Sequence, residues 1–338
     1  MGEKKKRITL DRIAAETGLS KYSVSRAISG KSGVSDETRE RVLAVCEKLG
    51  YQKKKPEHGR KKVVLFILPQ CDIRDTAFWM KVIMGAEERL AREGFALHIK
   101  VISDSEDNLR ESEIEEAAGI IFGGHMSLFY LDKVALYERP SLVLTYPPHD
   151  MFPYDTMHVA DKEGAFYLTG QLVGMGHKKI GYYGSLERLS MQKRFAGVRK
   201  AADELGAEIA YVWNEEKFLD GSELFEEELS KLKEKGELPT LIICSTDVYA
   251  ERLIFHLSRL GIEVPEDISV TGFNSDLADL WKIPLTSVGI DKKEYGSTAV
   301  NYLLDRIEDP GQSVRRVSVV PEFVIGETAA VVERKALH

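Results

Sequence analysis

Cysteine is scarce in this 338-residue chain: Cys46, Cys71 and Cys244 are all it has, with neither pairing nor ligand spacing. That excludes a disulfide framework and fits a reduced, cytoplasmic compartment. Long apolar runs are missing as well. Val63-Val64-Leu65-Phe66-Ile67-Leu68 falls far short of the ~20 residues a spanning helix needs, and reads as a buried strand. Lys4, Lys5, Lys6 and Arg7 resemble the start of a signal peptide, but Asp11 and Arg12 interrupt any apolar region behind them.

Catalytic signatures are missing too. There is no Gly-x-Ser-x-Gly, no zinc-ligand spacing, and the eight histidines are dispersed. Gly174-Met175-Gly176 ahead of Gly181 approaches a phosphate-binding glycine loop. Its last spacing is wrong, and it follows a helix and precedes a strand, the reverse of a dinucleotide site. Ser190…Lys193 and Ser230…Lys233 match Ser-x-x-Lys, a pattern short enough to arise by chance. Clusters such as Glu226-Glu227-Glu228 read as solvated helix faces. No catalytic residue, metal or cofactor is expected.

Net charge is −7, which by itself argues against a nucleic-acid partner. The average conceals a split. Residues 1–62 carry 17 basic and 8 acidic side chains, a net of +9, and the remainder carries a net of −16. Such asymmetry points to a basic binding module on an acidic body. The length allows about two to three domains and a core that needs no staple.

The basic segment holds three short helical patterns. The first runs from Thr9 to about Glu16, with Thr9 as N-cap and Leu10, Ile13 and Ala14 inward. Gly18 supplies the turn, and Ser20 caps a second helix to about Ile28. Ser35 caps a third, with Asp36 and Glu37 in its first turn and Val42, Leu43, Val45, Cys46 and Leu49 as its apolar face. At about 100° per residue, Val24, Ala27 and Ile28 share the inward side of the second helix. Tyr22, Ser25, Arg26 and Ser29 face out, with Lys21 at the edge. An outward arginine on a short helix behind a glycine turn suits a major groove, where it can bond guanine O6 and N7. A small solvated three-helix bundle would show a similar face, and the +9 charge is what separates the two readings.

Ile8-Thr9-Leu10-Asp11-Arg12-Ile13-Ala14-Ala15-Glu16-Thr17-Gly18-Leu19-Ser20-Lys21-Tyr22-Ser23-Val24-Ser25-Arg26-Ala27, continued by Val34-Ser35-Asp36-Glu37-Thr38-Arg39 and Leu49-Gly50-Tyr51, resembles the headpiece of the lactose-repressor (LacI/GalR) family. The resemblance implies that Lys21, Tyr22 and Arg26 read bases. It gives Thr9, Ser20, Ser23 and Ser25 to phosphates or helix capping. The chain departs from the family at the linker. Gln52-Lys53-Lys54-Lys55-Pro56-Glu57-His58-Gly59 stands where a hinge helix with a wedging leucine is usual. Pro56 and Gly59 oppose a helix. What remains is a tether whose Lys53, Lys54 and Lys55 attract phosphates, or a plain solubilising linker.

From Val63 on, strand and helix signals alternate. Strands are expected at 63–68, 95–102, 119–123, 141–145, 180–183, 207–213, 241–244 and 268–273. Helices are expected at about 193–205, 223–235 and 247–260. Short strands alternating with helices predict right-handed βαβ units in two doubly wound lobes, with a ligand between them at the carboxyl ends of the strands. The fold class is therefore α/β: an all-α helix-turn-helix headpiece (1–50), a basic linker (51–62), and a two-lobed parallel-sheet body (63–338) like the periplasmic binding proteins.

The family resemblance extends over this body through Phe78-Trp79, Asp161-Lys162-Glu163-Gly164, Gly176-His177-Lys178-Lys179, Arg194-Phe195-Ala196-Gly197 and Asp267 to Asn274. It implies a homodimer on a pseudo-palindromic operator, most simply a repressor, controlled by a small molecule between the lobes. The implied effector residues are Arg194, Asn274 (where aspartate is frequent), Thr246, Asp247, Thr145, Phe218, Phe78 and Trp79. Alternatives stay open for several. Trp213 could replace Phe218 or lie in the core. Asp247 could cap its helix, Arg194 could form a surface ion pair, and one of Phe78 and Trp79 could be core. His177 reads as structural. Stacking aromatics beside Arg, Asn and Thr suggest a carbohydrate or a derivative as effector, with a nucleobase or a phosphorylated sugar as the open alternatives. A sugar-binding protein without DNA regulation and a doubly wound enzyme are the competing functions.

Overall fold

A computed structural model describes residues 10–19, 24, 27, 34–49, 62–73, 75–103, 105–147, 149, 151–214, 222–275 and 284–332. The expected DNA-contacting residues Thr9, Ser20, Lys21, Tyr22, Ser23, Ser25, Arg26, Lys53, Lys54 and Lys55 lie outside these, as does Phe218. The chain divides into two compact units, Met1–Arg60 and Lys61–His338.

In the first unit, α1 (Leu10–Thr17) and α2 (Asp36–Leu49) are described, and Val24 and Ala27 are helical. Ile13, Val24, Ala27, Val42 and Cys46 form the core. The inward set expected for the second helix is therefore buried at both described positions. Gly18 has φ +67°, the left-handed conformation its turn requires. Ser35 Oγ accepts from Thr38 N at 3.3 Å, satisfying an N-terminal amide of α2. Leu43 does not join the core: it is 47% exposed, because Val42 and Cys46 already fill the inward stripe.

In the second unit the first lobe holds β1 (Lys62–Pro69), α3 (Thr76–Arg92), β2 (Phe95–Ile102), α4 (Glu111–Glu116), β3 (Ala117–Gly123), α5 (Leu128–Ala135), β4 (Ser141–Leu144) and β5 (Asp155–Val159). The second lobe follows with α6 (Asp161–Gly174), β6 (Lys179–Gly184), α7 (Leu189–Leu205), β7 (Glu208–Asn214), α8 (Ser222–Lys235), β8 (Leu241–Cys244), α9 (Asp247–Arg259), β9 (Ser269–Thr271) and β10 (Ser287–Gly289). The chain returns to the first lobe for α10 (Lys292–Glu308) and β11 (Arg316–Val319), then crosses back into β12 (Glu322–Val324). It thus passes between lobes three times.

The first sheet is parallel, in the order β11-β5-β4-β3-β1-β2, and the second runs β7-β6-β8-β9, with an antiparallel β10-β12 pair beside it. β1 is an apolar run buried from Val64 to Pro69, as a central parallel strand should be. Helices cover both faces of each sheet, giving two cores per lobe. On α3, Trp79, Val82, Ile83, Ala86 and Leu90 recur at helical spacing and bury one face. Full burial of each of the valine, isoleucine and leucine side chains contributes about 1.5–3 kcal/mol. α10 lies against α3 at backbone contact, since a Cβ on Gly296 would meet Val82 O at 1.9 Å. The expected alternation is present. β5, β10, β11 and β12 carry no strong sequence signal, being short and sited where the chain crosses between lobes.

Candidate functional site

The carboxyl ends of the strands of both lobes converge on one cleft, with about 810 Å³ of atom-free space including its open mouth. From the first lobe come Asp72 and Asp75 beyond β1, Phe78 and Trp79 on α3, Gly124 and His125 beyond β3, and Thr145 and Tyr146 beyond β4. His158 at the end of β5 and Tyr295 on α10 complete that wall. The second lobe supplies Asp161 at the start of α6, Arg188 to Met191 and Arg194 around the start of α7, Thr246 beyond β8 and Asn274 beyond β9. This is where a doubly wound sheet places its ligand.

Arg194 is 8% exposed yet fully engaged on one side. Nε donates to Asp161 Oδ1 at 2.7 Å, one terminal nitrogen to Ser245 O at 2.7 Å, and the other to Asn274 Oδ1 at 3.0 Å. The guanidinium also lies 3.8 Å from the centre of the Phe273 ring. These contacts use three of the five N–H groups a guanidinium has. Burial of such a pair is sustained by its hydrogen bonds.

Asn274 has φ +109° and Ser275 φ +53°, both in the region that favours glycine. Lys292, itself 4% exposed, holds this turn by donating to Asn274 O at 2.5 Å and Ser275 O at 3.3 Å. Tyr146 donates to Val159 O and accepts from Asp161 N. Burial and the neighbouring Asp161 push its phenol well above the ordinary range. His158 packs on Tyr146 with ring centres 4.1 Å apart, and its Nδ1 has no hydrogen-bond partner among the described residues. Burial lowers its pKa, which favours the neutral ring.

Of the expected effector residues, Phe78, Trp79, Thr145, Arg194, Thr246 and Asn274 all border this cleft. Trp79 is 6% exposed and also belongs to the first-lobe core, so both aromatics reach the cavity and one doubles as core. Asp247 is corrected: it is buried and does not line the cleft, because it turns to accept from Ser287 Oγ at 2.6 Å. The cap of α9 is Thr246, whose Oγ accepts from Tyr249 N. Trp213 is core, donating Nε1 to Glu228. His177 is structural: it is 1% exposed and bonded through Nδ1 to Thr240 and Nε2 to Ala330 O. Sequence reasoning missed Asp72, Asp75, Tyr146, His158, Asp161, Arg188 and Tyr295. Only Asp161 carried a signal, as the opening of a quoted motif.

Residues 169–329 match the periplasmic binding protein-like domain and residues 9–54 match the bacterial regulatory proteins of the lacI family. The chain is 27% identical over 333 residues to the HTH-type transcriptional repressor PurR of Histophilus somni (strain 129Pt), covering 94% of this chain and 97% of that one. By structure it resembles the lac repressor dimer bound to operator and the anti-inducer ONPF, with TM-score 0.66, 21% identity and coverage of 96% and 100%. It is equally similar to a complex of the transcriptional regulator CelR with cellobiose, at TM-score 0.66, 21% identity and coverage of 96% and 100%. The structural likenesses establish the fold. Headpiece and two-lobed body together define a DNA-binding regulator with a binding-protein-like sensor. In both parts the chain resembles regulators of the LacI/GalR family, and the relatives it matches along nearly its whole length are DNA-binding transcriptional repressors. Its curated relatives are repressors, not enzymes.

Proposed function

We propose that a small polar molecule held in the cleft controls how tightly this repressor grips its operator. The observation that carries the reading is the cleft's two-sided wall. A ligand touching Phe78 and Thr145 on one lobe and Arg194, Thr246 and Asn274 on the other favours one arrangement of the lobes. Such differential contact is what lets a ligand shift a population. A homodimer would then present two headpieces to a pseudo-palindromic operator, with Lys21, Tyr22 and Arg26 reading bases and Lys53, Lys54 and Lys55 adding phosphate attraction. The protein would act in the cytoplasm; no described helix is long and apolar enough to cross a membrane.

A sugar or sugar derivative fits best, because aromatic faces stand opposite amide, hydroxyl and guanidinium groups. CelR, of the same fold, was solved with cellobiose. A nucleobase is the second reading, favoured by the flat Tyr146–His158 pair. The test is a thermal-shift panel of neutral sugars and nucleobases, followed by gel shifts with selected operator DNA. A ligand at 100 times its Kd stabilises by about 2.7 kcal/mol. The expected result is one class that raises Tm and changes operator affinity. A ligand that raises Tm in the cleft while leaving operator affinity untouched would overturn the reading. Arg26→Ala should abolish sequence preference with the fold intact.

A further inference from the structure

Among the described residues the cleft contains two guanidinium groups, and each is already matched by a carboxylate of the chain itself. Arg194 is held by Asp161, its neighbour in the second lobe. Arg188, also in the second lobe, is held by Asp72 of the first. The Asp72 side chain is fully buried, and its other oxygen accepts from His125 N at 2.7 Å. The seat is built to size. A Cβ on Gly124 would lie 2.4 Å from Asp72 Oδ2. The Arg188 side chain remains 37% exposed, open to the cavity. With Asp75, the described residues of the wall carry three carboxylates against two guanidiniums.

From this geometry we propose that Asp72 is a specificity-determining residue that bars anions from the cleft. An anionic ligand, such as a phosphorylated sugar or a carboxylate, would need a free guanidinium. Asp72 occupies the more accessible one from across the cleft. An anion on the free N–H groups of Arg188 would sit beside the fully buried Asp72 carboxylate, and to claim the guanidinium's charge it must draw Arg188 off Asp72, leaving that buried charge without its cation. A neutral polyhydroxy ligand displaces nothing, and the remaining N–H groups of Arg188 and Arg194 can donate to its oxygens. The inference rests on the cleft being the effector site and restricts that effector to uncharged molecules.

Asp72→Asn tests it in the full-length protein, since an amide oxygen can still accept from His125 N while the charge is gone. Calorimetric titration with inorganic phosphate should give no saturable binding to the native protein. It should give saturable binding to D72N, tighter by about tenfold or more, as expected for a regained charge-assisted hydrogen bond. The D72N/R188Q double variant should lose that gain, which locates it at Arg188. Phosphate binding by the native protein equal to that of D72N would overturn the proposal, and so would a folded D72N that gains none. If D72N fails to fold, the smaller Asp72→Ser serves with the same two outcomes. The readout uses neither DNA nor the natural effector. An empty sugar and nucleobase panel would therefore count against the effector reading and leave this result standing.

Discussion

The two walls of the cleft are made from the same parts, strand ends and helix starts, yet they are chemically unlike. The first lobe presents Phe78, Trp79, Tyr146, His158 and Tyr295, mostly flat apolar surface. The second presents Arg188, Arg194, Thr246 and Asn274, mostly directed hydrogen-bonding groups. The first wall is therefore a platform whose attraction is broad and shape-dependent. The second is a lattice of fixed partners, with Arg194 at its centre, whose attraction is geometric. A ligand can rest on the first wall in many poses but satisfies the second in few. Specificity should reside in the second lobe, and in the one carboxylate, Asp72, that the first lobe sends across.

The largest break in this contrast is Arg194→Ala. It removes the centre of the lattice and leaves Asp161, with a side chain only 3% exposed, as a buried charge without its cation. Loss of one partner of a buried pair costs about 3–5 kcal/mol. Urea denaturation should show that loss. Phe78→Ala, on the half-buried platform, should cost much less stability while weakening any ligand. Equal stability losses for the two variants would erase the distinction between the walls.

That distinction was only half legible in the sequence. Arg194 could be found because it sits in a recognisable Arg-x-x-Gly, and Gly197 shows why the spacing matters. A Cβ there would meet Lys162 O at 2.2 Å, so α7 can lie on α6 only with glycine. The alternation of strands and helices was equally readable, since buried parallel strands are nearly continuous apolar runs. Asp72 and Arg188 were not readable. They stand 116 positions apart, and each looks like an ordinary loop charge until the lobes face each other. Asp247 misled for a related reason. Gly272 leaves room for its carboxylate beside β9, with a virtual Cβ only 2.1 Å from Oδ1, and Ser287 takes it there. Side chains at strand ends can turn either way, and only tertiary neighbours decide which.

Next in size is Lys292→Met. Lys292 stands on a first-lobe helix and holds the carbonyls of a strained second-lobe turn, so it tethers the lattice to the platform's side. Methionine keeps the volume and removes the donor from Asn274 O. An unsatisfied buried acceptor costs about 1–3 kcal/mol. The unfolding free energy should fall by that amount and the urea midpoint with it, and ligand affinity should fall too because Asn274 loses its fixed pose. A midpoint equal to the native one would show that the turn holds itself. Smaller again are the matched helix caps on the two walls, Asp75 on α3 and Thr246 on α9, each accepting from the amide three residues on. Their alanine variants should each cost about 0.5–2 kcal/mol. Only Thr246→Ala is expected to alter ligand preference. A preference change from Asp75→Ala alone would reverse the assignment of specificity to the second lobe.

The smallest effect compares one histidine from each lobe. His177 lies deep in the second lobe with both ring nitrogens bonded, and burial lowers its pKa from 6.5. His158 lies at the cleft wall, and burial lowers its pKa from 6.5 as well. For each, the unfolded chain takes up a proton before the folded protein does. Below pH 6.5 the unfolded state therefore binds more protons, and stability falls as pH falls until the folded pKa is passed. Each group can contribute at most about 1.4 kcal/mol per pH unit within that window. Well above pH 6.5, where the unfolded chain's histidines are neutral too, neither contributes a slope. Urea midpoints between pH 8 and pH 5 should be flat at first and then decline. His177→Gln should remove part of the decline whether or not ligand is present. His158→Gln should remove a part that grows when the cleft is filled, because a ligand against Tyr146 desolvates the ring further. If filling the cleft leaves the His158 contribution unchanged, the ligand does not lie on the first-lobe platform, and the division of labour between the walls fails at that point.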